Sequence, residues 1–363
     1  MRVDRAVDPF GGRSGLIEAF RAGSERALAR AISIVEDQSA GFEALLDELR
    51  SGVGSARRIG ITGPPGAGKS TLAARLARRL RNAGHRVGII AVDPTSPFTG
   101  GALLGDRIRM AELAVEPGIF MRSMASRGSA GGLATAATEA ADLMDTFGFD
   151  RVILETLGVG QSELEIAAAA DSTVVVLVPE SGDGIQAMKA GLMEVADLFC
   201  VNKADRPGAA RLVKEIEVMK AIRAGYALRG VPRHHARLTS PGERSGWAVE
   251  AGGGSDDVEH PGDPIASPSV WDVPVLETVA TEGRGVAELM AKLDDHFLSL
   301  TATGELQARR ERALLDQTVR ILIRGAETRA LAAWERTKDE FLEDLLTGRV
   351  SPYAVIRQLS TQE

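Results

Sequence analysis

The sequence is poor in cysteine and in aromatic residues. One of its 363 residues is a cysteine, Cys200, and aromatic residues make up 4%. A single cysteine excludes an internal disulfide and a cysteine-cluster metal site, and it fits a reducing compartment. No apolar run is long enough to cross a bilayer, and the N-terminal MRVDRAVDPFGG lacks an apolar signal-peptide core. We therefore expect a soluble, cytoplasmic protein with no membrane partner.

The chain also has fewer basic than acidic residues. The chain has 43 Lys and Arg residues against 50 Asp and Glu residues, which gives a formal net charge of −7. Non-specific binding to nucleic acid needs clustered positive charge, so we expect no nucleic-acid partner. Hydrophobic residues make up 44% of the chain, which is enough to build a buried core.

Short β-branched runs alternate with helical stretches over the middle of the chain. The runs lie at residues 58–62, 87–92, 152–155, 173–178, 198–202 and 274–279. This alternation predicts an α/β fold in which helices sandwich a mainly parallel sheet.

Apolar residues at helical spacing flank this region on both sides. The first stripe comprises Leu28, Ala31, Ile32 and Val35, and Ser24 precedes it as a helix N-cap. The second stripe comprises Leu315, Val319, Leu322, Ile323 and Ala326. We predict an N-terminal helical segment over residues 1–55, a central phosphate-binding domain over 56–293 and a C-terminal helical arm over 294–363. The second stripe needs a surface to pack on, which is either another copy of the chain or its own central domain.

Residues 232–270 interrupt the central domain with a different composition. Gly, Pro and Ser account for 16 of these 39 residues. Such a segment buries too little apolar area to offset the entropy of ordering, so we predict a mobile surface insert. Its role is either contact with a partner or that of a tolerated linker.

The strongest motif is GPPGAGKS at residues 63–70, a complete G-x-x-x-x-G-K-S phosphate-binding loop between a predicted strand and a helix. Its glycines let backbone N–H groups converge on phosphate oxygens, and the helix N-terminus adds its positive dipole end. We expect Lys69 to neutralise phosphate charge as a solvated side chain that contributes little to stability, and Ser70 to bind Mg²⁺. The predicted nucleotide-binding residues here are Gly63, Pro64, Pro65, Gly66, Ala67, Gly68, Lys69, Ser70 and Thr71.

Carboxylates follow two of the predicted strands. Asp93 and Glu155 each end a strand, so they are expected at the carboxyl edge of the sheet, where ligands bind. Asp106 follows a glycine-rich stretch that could close over the nucleotide. Because Mg²⁺ favours oxygen ligands, we predict a metal environment of Ser70, Asp93, Asp106 and Glu155. The predicted catalytic residues are Lys69, Asp93, Glu155 and Gln161.

Two interpretations stay open for three further side chains. Gln161 either orders the attacking water or is simply a helix-start residue. Arg107 and Arg109 either stabilise transition-state charge or pair with neighbouring acids.

The tetrapeptide NKAD at residues 202–205 predicts the base. It follows the run 198–202, about 135 residues after the phosphate loop. A carboxylate at Asp205 can accept hydrogen bonds from the ring N–H and the exocyclic amine of guanine. Adenine presents an acceptor instead of that ring donor, which leaves the carboxylate unpaired at a cost. We therefore predict GTP as the nucleotide, with Asn202, Lys203 and Asp205 in the site.

Three blocks of sequence together resemble one family. They are VDPTSPFTGGALLGDRIRM at residues 92–110, ETLGVGQSE at 155–163 and ESGDGIQAMKAGLMEVADLFCVNKAD at 180–205. The chain resembles the MeaB/ArgK-type P-loop GTPases, the chaperones of adenosylcobalamin-dependent methylmalonyl-CoA mutase and related acyl-CoA mutases. The resemblance runs from about residue 15 to the C-terminus, apart from 232–270. It implies a GTPase domain flanked by an N-terminal helical segment and a C-terminal helical arm that builds a homodimer.

The resemblance also implies roles for individual residues. By matching positions, Ser70, Asp93, Asp106 and Glu155 look like the magnesium environment and Asp205 looks like the guanine reader. Val279, Ala280 and Thr281 stand where the family has S-A-x behind the base. Valine replaces the serine here, whereas backbone contacts do not depend on the side chain.

The function implied by the resemblance is that of a GTP-hydrolysing chaperone, with Mg²⁺ as cofactor. Its nucleotide state would gate the delivery of adenosylcobalamin to an acyl-CoA mutase and protect that enzyme. The alternative is a metallochaperone GTPase for metalloenzyme maturation, which shares the phosphate-loop architecture. That alternative is disfavoured, because such proteins are expected to show His-rich tracts or Cys/His pairs, and this chain has one Cys and five His.

Overall fold

The computed structural model describes residues 9–50, 54–93, 113, 116–125, 132–156, 168–179, 191–223 and 271–360, with the backbone alone at residues 93, 125, 132–134, 223 and 360. The predicted insert at 232–270 lies outside these residues. Seven strands form the sheet: β1 (Arg57–Thr62), β2 (Val87–Asp93), β3 (Ile119–Ala125), β4 (Arg151–Thr156), β5 (Ser172–Leu177), β6 (Leu198–Asn202) and β7 (Val275–Thr278). Three helices precede the sheet: α1 (Arg13–Arg21), α2 (Glu25–Glu36) and α3 (Phe42–Leu49). The others are α4 (Lys69–Asn82), α5 (Gly132–Phe147), α6 (Met193–Val195), α7 (Ala209–Arg223), α8 (Val286–Thr303), α9 (Glu305–Leu346) and α10 (Pro352–Ser360).

All seven strands run parallel, in the order β3-β2-β4-β1-β5-β6-β7. Parallel strands place their carboxyl ends at one edge of the sheet, so the loops after β1, β4, β6 and β7 meet there. The predicted α/β fold with helices on both faces of a parallel sheet is confirmed.

Two layers of helices cover the sheet. Helices α1, α2, α3 and α5 pack on one face in a continuous apolar core, and α7 extends that layer over β5 and β6. Helices α4 and α8 cover the opposite face. Ser24 caps α2 as predicted, since its side chain accepts a hydrogen bond from the Ala27 amide. Every residue of the first predicted stripe, Leu28, Ala31, Ile32 and Val35, is fully buried.

Two elements were not predicted from the sequence. Strand β3 forms the edge of the sheet, where Arg122 interrupts its apolar residues and pairs with Glu36 of α2 at 2.6 Å. Helix α1 begins at Arg13, before Ser24 and the first predicted stripe. The three-part division of the chain stays a prediction: α1–α3 share a core with α5, and α8 runs through the proposed boundary at residue 293.

Helix α9 contacts the central sheet through a polar face. Arg310 donates to both carboxylate oxygens of Asp171, at 2.8 Å each, directly before β5. Arg309 binds Asp197, directly before β6, at 2.9 Å. Burial alone would raise the pKa of the Asp197 carboxyl, but the ring of His296 and the Arg309 guanidinium beside it lower that pKa. These pairs fix α9 to the amino ends of the strands, at the edge opposite the nucleotide motifs.

The opposite face of α9 is apolar and exposed. Leu315 and Leu322 are each 67% exposed, and Val319 and Ile323 are also exposed. The second predicted stripe therefore does not pack on the chain's own central domain within the described residues, which removes one of its two interpretations. Over the same residues, no helix combines the length and apolar character required to cross a membrane.

Candidate nucleotide site

The phosphate-binding motif forms the turn between β1 and α4, as its sequence predicts. Gly63, Gly66 and Gly68 have φ angles of 137°, 74° and 86°, which L-residues with side chains rarely adopt. Space is limiting at two of them, since a Cβ on Gly63 would collide with the Val176 carbonyl and one on Gly68 with the Asn202 amide. The backbone can therefore lie this close to β5 and β6 because these positions are glycine.

Lys69 is enclosed by its own loop. The residue is 4% exposed, and its Nζ donates to the carbonyl oxygens of Gly63 at 2.7 Å and Pro64 at 3.0 Å. The prediction of a solvated lysine is therefore wrong. Backbone carbonyls take the place of water around the ammonium group, so the side chain also ties the two ends of the loop together.

Two of the four predicted magnesium ligands meet in the structure. The Ser70 hydroxyl, at the start of α4, donates to the buried Glu155 carboxylate at the end of β4, at 2.5 Å. Asp93 ends β2, which pairs with β4 in register, so its backbone lies at the same edge of the sheet. Asp106 and Gln161 lie outside the described residues, as do Arg107 and Arg109.

The donor set at this edge suits Mg²⁺. Mg²⁺ prefers oxygen ligands, keeps several waters and is commonly held by one or two carboxylates together with substrate phosphates. The Ser70 hydroxyl and the Glu155 carboxylate provide oxygens of this kind. Among the described residues, no group of three or more His, Cys, Asp and Glu side chains could hold a metal. The assignment of Ser70, Asp93, Asp106 and Glu155 to Mg²⁺ stays a prediction.

Asn202 joins the phosphate loop to the predicted base loop. Its buried amide donates from Nδ2 to the Ala67 carbonyl at 2.8 Å. Its Oδ1 accepts from the Thr278 hydroxyl and from the Ala280 amide, each at 3.1 Å. Thr278 was not predicted as a site residue, although it is a polar residue near the end of a predicted strand. A further hydrogen bond, from the Ala204 amide to the Thr278 carbonyl at 3.0 Å, holds the ends of β6 and β7 together.

The residues predicted to contact the base follow these strand ends. Lys203 adopts a left-handed conformation with φ of 57°, which turns the chain sharply after β6, and Asp205 is exposed beyond the turn. Val279 and Ala280 are buried and Thr281 is exposed. The structure thus brings the phosphate loop, the NKAD segment and residues 279–281 to one edge of the sheet. Their nucleotide contacts remain predictions.

Cys200 takes no part in the chemistry of this edge. It is fully buried within β6, with its Sγ 3.1 Å from the Thr278 hydroxyl oxygen. Burial raises the pKa of its thiol to about 12, so the thiol stays protonated at neutral pH. Cys200 is therefore a core residue rather than a nucleophile.

Comparison with known proteins now identifies the family. A family model described as "Methylmalonyl Co-A mutase-associated GTPase MeaB" matches residues 28–334. The chain belongs to this family. Its P-loop fold and the names of its relatives agree that it is a GTPase, an enzyme that hydrolyses GTP.

Several relatives match this GTPase over almost its whole length. A protein of Pyrococcus horikoshii is 39% identical over 339 residues, which cover 93% of this chain and 94% of the relative. GTPase ArgK of Escherichia coli strain K12 is 32% identical over 354 residues, 95% of this chain and 94% of its own. A crystal structure described as an LAO/AO transport system kinase has a TM-score of 0.60 at 27% identity and covers 99% of both chains. The resemblance inferred from the sequence is confirmed.

We predict that Lys69→Ala abolishes GTP hydrolysis and also lowers stability. The ammonium group can no longer neutralise phosphate charge, and two buried carbonyls lose a donor, which costs about 1–2 kcal/mol of unfolding free energy. Turnover and thermal unfolding would be measured beside Lys214→Ala, which truncates an exposed lysine on α7. Undiminished turnover in Lys69→Ala would refute the assignment of the phosphate site.

Proposed function

We propose that this GTPase is a nucleotide-gated chaperone of an adenosylcobalamin-dependent acyl-CoA mutase, with methylmalonyl-CoA mutase as the first candidate. The match of residues 28–334 to a family described as associated with that mutase carries the proposal. In this proposal, GTP binding and hydrolysis gate delivery of the cobalamin cofactor and protect the mutase. The GTPase acts in the cytoplasm, with neither a nucleic-acid nor a membrane partner.

We propose the following roles for the residues of this site. Lys69 neutralises phosphate charge next to the loop backbone, and Ser70 and Glu155 hold Mg²⁺. Mg²⁺ held by these residues would offset the negative charge that develops on the phosphates. Asp205 selects guanine, and the backbone of residues 279–281 supports the base from behind.

The name of one structural relative points to another activity. That relative is described as a transport system kinase, whereas the family model and the ArgK relative are named as GTPases.

A metallochaperone for metalloenzyme maturation remains the alternative function. It predicts stoichiometric Ni²⁺ or Zn²⁺ binding to the purified chain, which calorimetry with each metal alone would detect.

We predict that intrinsic GTP hydrolysis is slow and that the client mutase accelerates it. GTPases whose site is completed in trans by an arginine gain about 10³–10⁵ in rate. Mutase affinity would be measured by calorimetry with GDP and with a non-hydrolysable GTP analogue, and turnover with and without mutase. Because coupling is reciprocal, a nucleotide-dependent mutase affinity requires an equal change in nucleotide affinity.

Two results would contradict the chaperone proposal. Equal mutase affinity in both nucleotide states, together with unchanged turnover, leaves a GTPase without this client. Binding of Ni²⁺ or Zn²⁺ under those conditions would favour the metallochaperone alternative.

We further propose that the exposed face of α9 forms a homodimer. The helix contacts its own domain through Arg309 and Arg310, which bind carboxylates before β5 and β6, and through the buried Gln317, which binds Asp142 of α5, so its apolar side is turned outward. A helix normally buries its apolar stripe, and a second copy of the same helix offers a matching surface. Exposed Tyr353 and Ile356 of α10 add further apolar area at the end of the arm.

The dimer proposal predicts that the double variant Leu315→Glu/Leu322→Glu is monomeric. Two buried carboxylates across a two-fold interface would be desolvated and unpaired, whereas both side chains are exposed in the monomer. Light scattering would compare this variant with Thr328→Glu, an exposed position on the other side of α9. A wild-type monomer, or a double variant that stays dimeric, would contradict the proposal.

A further inference from the structure

Arg75 links the helix of the phosphate loop to the loop predicted to lie behind the base. It lies on α4, five residues after the phosphate loop, and is partly exposed. Its Nε donates to the Ala280 carbonyl at 3.1 Å, and its Nη2 donates to the Thr281 carbonyl at 2.5 Å. These partners are about 205 residues away in sequence, so the contact depends on the folded domain.

The loop that Arg75 contacts is closed by backbone hydrogen bonds within the turn, whereas Arg75 connects it to the phosphate helix. The Val279 amide donates to the Arg284 carbonyl at 3.1 Å, which closes the turn, and the Ala280 amide donates to Asn202. The Glu282 amide donates to the Val279 carbonyl at 3.0 Å and the Gly283 amide to the Ala280 carbonyl at 3.3 Å, so these bonds shape the turn itself. Arg75 supplies donors to two successive carbonyls of this loop, where Thr281 is exposed.

The chemistry of the two carbonyls explains why the residue is an arginine. A guanidinium group presents several N–H donors in one rigid plane, so it can bond two neighbouring acceptors at once and hold their spacing. A lysine ammonium is a single point on a flexible stem and cannot hold two acceptors in a defined plane. Hydrogen bonds from a charged donor are also about twice as strong as neutral ones.

We propose that Arg75 is a positioning residue for guanine recognition, which clamps the Ala280 and Thr281 carbonyls so that the base loop keeps a fixed distance from the phosphate helix. The proposal rests on the proposed nucleotide site. Arg75 acts through the backbone of residues 280 and 281 rather than on the nucleotide. Without the clamp, the phosphate loop keeps its glycines and Lys69, but the base pocket loses a rigid wall.

The variant Arg75→Ala is therefore expected to weaken base selection more than catalysis. GDP affinity should fall about tenfold, the equivalent of one lost charged hydrogen bond. Affinity for inosine diphosphate, whose base lacks the exocyclic amine, should fall less, so the preference for guanine over hypoxanthine shrinks. The KM for GTP should rise with kcat nearly unchanged, since the phosphate end is intact. Arg75→Lys, which retains one donor, should restore part of the preference.

The matched control is Arg79→Ala, which truncates an exposed arginine one turn later on the same helix. It should bind both diphosphates as the wild type does. Thermal unfolding of each variant separates local from global loss of structure, and if Arg75→Ala does not fold, Arg75→Gln and Arg75→Lys provide the same comparison.

The outcomes separate this proposal from the function on which it rests. A wild-type protein that binds GDP and inosine diphosphate equally refutes guanine recognition itself. A wild-type preference that persists in the Arg75 variants refutes the clamp. A fall in kcat with an unchanged KM also overturns the clamp, because it would place Arg75 in catalysis.

Discussion

The candidate site depends on one buried side-chain amide. Asn202 bonds the Ala67 carbonyl of the phosphate loop, the hydroxyl of Thr278 and the amide of Ala280. Each buried polar group left without its partner would cost about 1–3 kcal/mol, so the three segments are stable together rather than separately. The same amide leaves no room for a side chain at residue 68. The glycine of the phosphate motif and the asparagine of the base motif therefore constrain each other.

The parallel sheet divides the molecule into two functional edges. The nucleotide motifs follow the carboxyl ends of β1, β4, β6 and β7, whereas α9 is ion-paired to Asp171 and Asp197 at the amino ends of β5 and β6. Residues 172–177 and 198–202 thus connect the arm directly to the edge of the sheet where the predicted nucleotide motifs lie. If the arm forms the proposed dimer, strands β5 and β6 connect the dimer interface to the predicted nucleotide site through the buried sheet.

The sequence predicts the parts of this protein that depend on local pattern. Alternation of β-branched runs and helices located six strands, and the two nucleotide motifs followed the strands expected. Local pattern does not report what surrounds a side chain in the fold. Lys69 is the example, because its burial comes from the way the loop closes around it. Strand β3 was missed because the charge of Arg122 is neutralised by Glu36, a partner 86 residues away.

Helix α9 shows what hydrophobic periodicity does not predict. Periodicity identified the apolar stripe correctly, but it could not tell which face of the helix meets the domain. The orientation of α9 depends on arginines that pair with carboxylates at the starts of strands. The spacing of residues along the sequence does not predict such pairs. The contact of Arg75 could not be predicted from the sequence for the same reason, since its partners are backbone carbonyls.

Hydrogen exchange on Asn202→Ala tests most directly whether this amide holds the site together as one unit. Amides of residues 63–68 and 279–285 should exchange faster together in the variant without nucleotide, because both segments lose the same partner. The control Asn82→Ala, at the exposed end of α4, should leave both unchanged. Faster exchange in one segment alone, or in neither, would contradict the account.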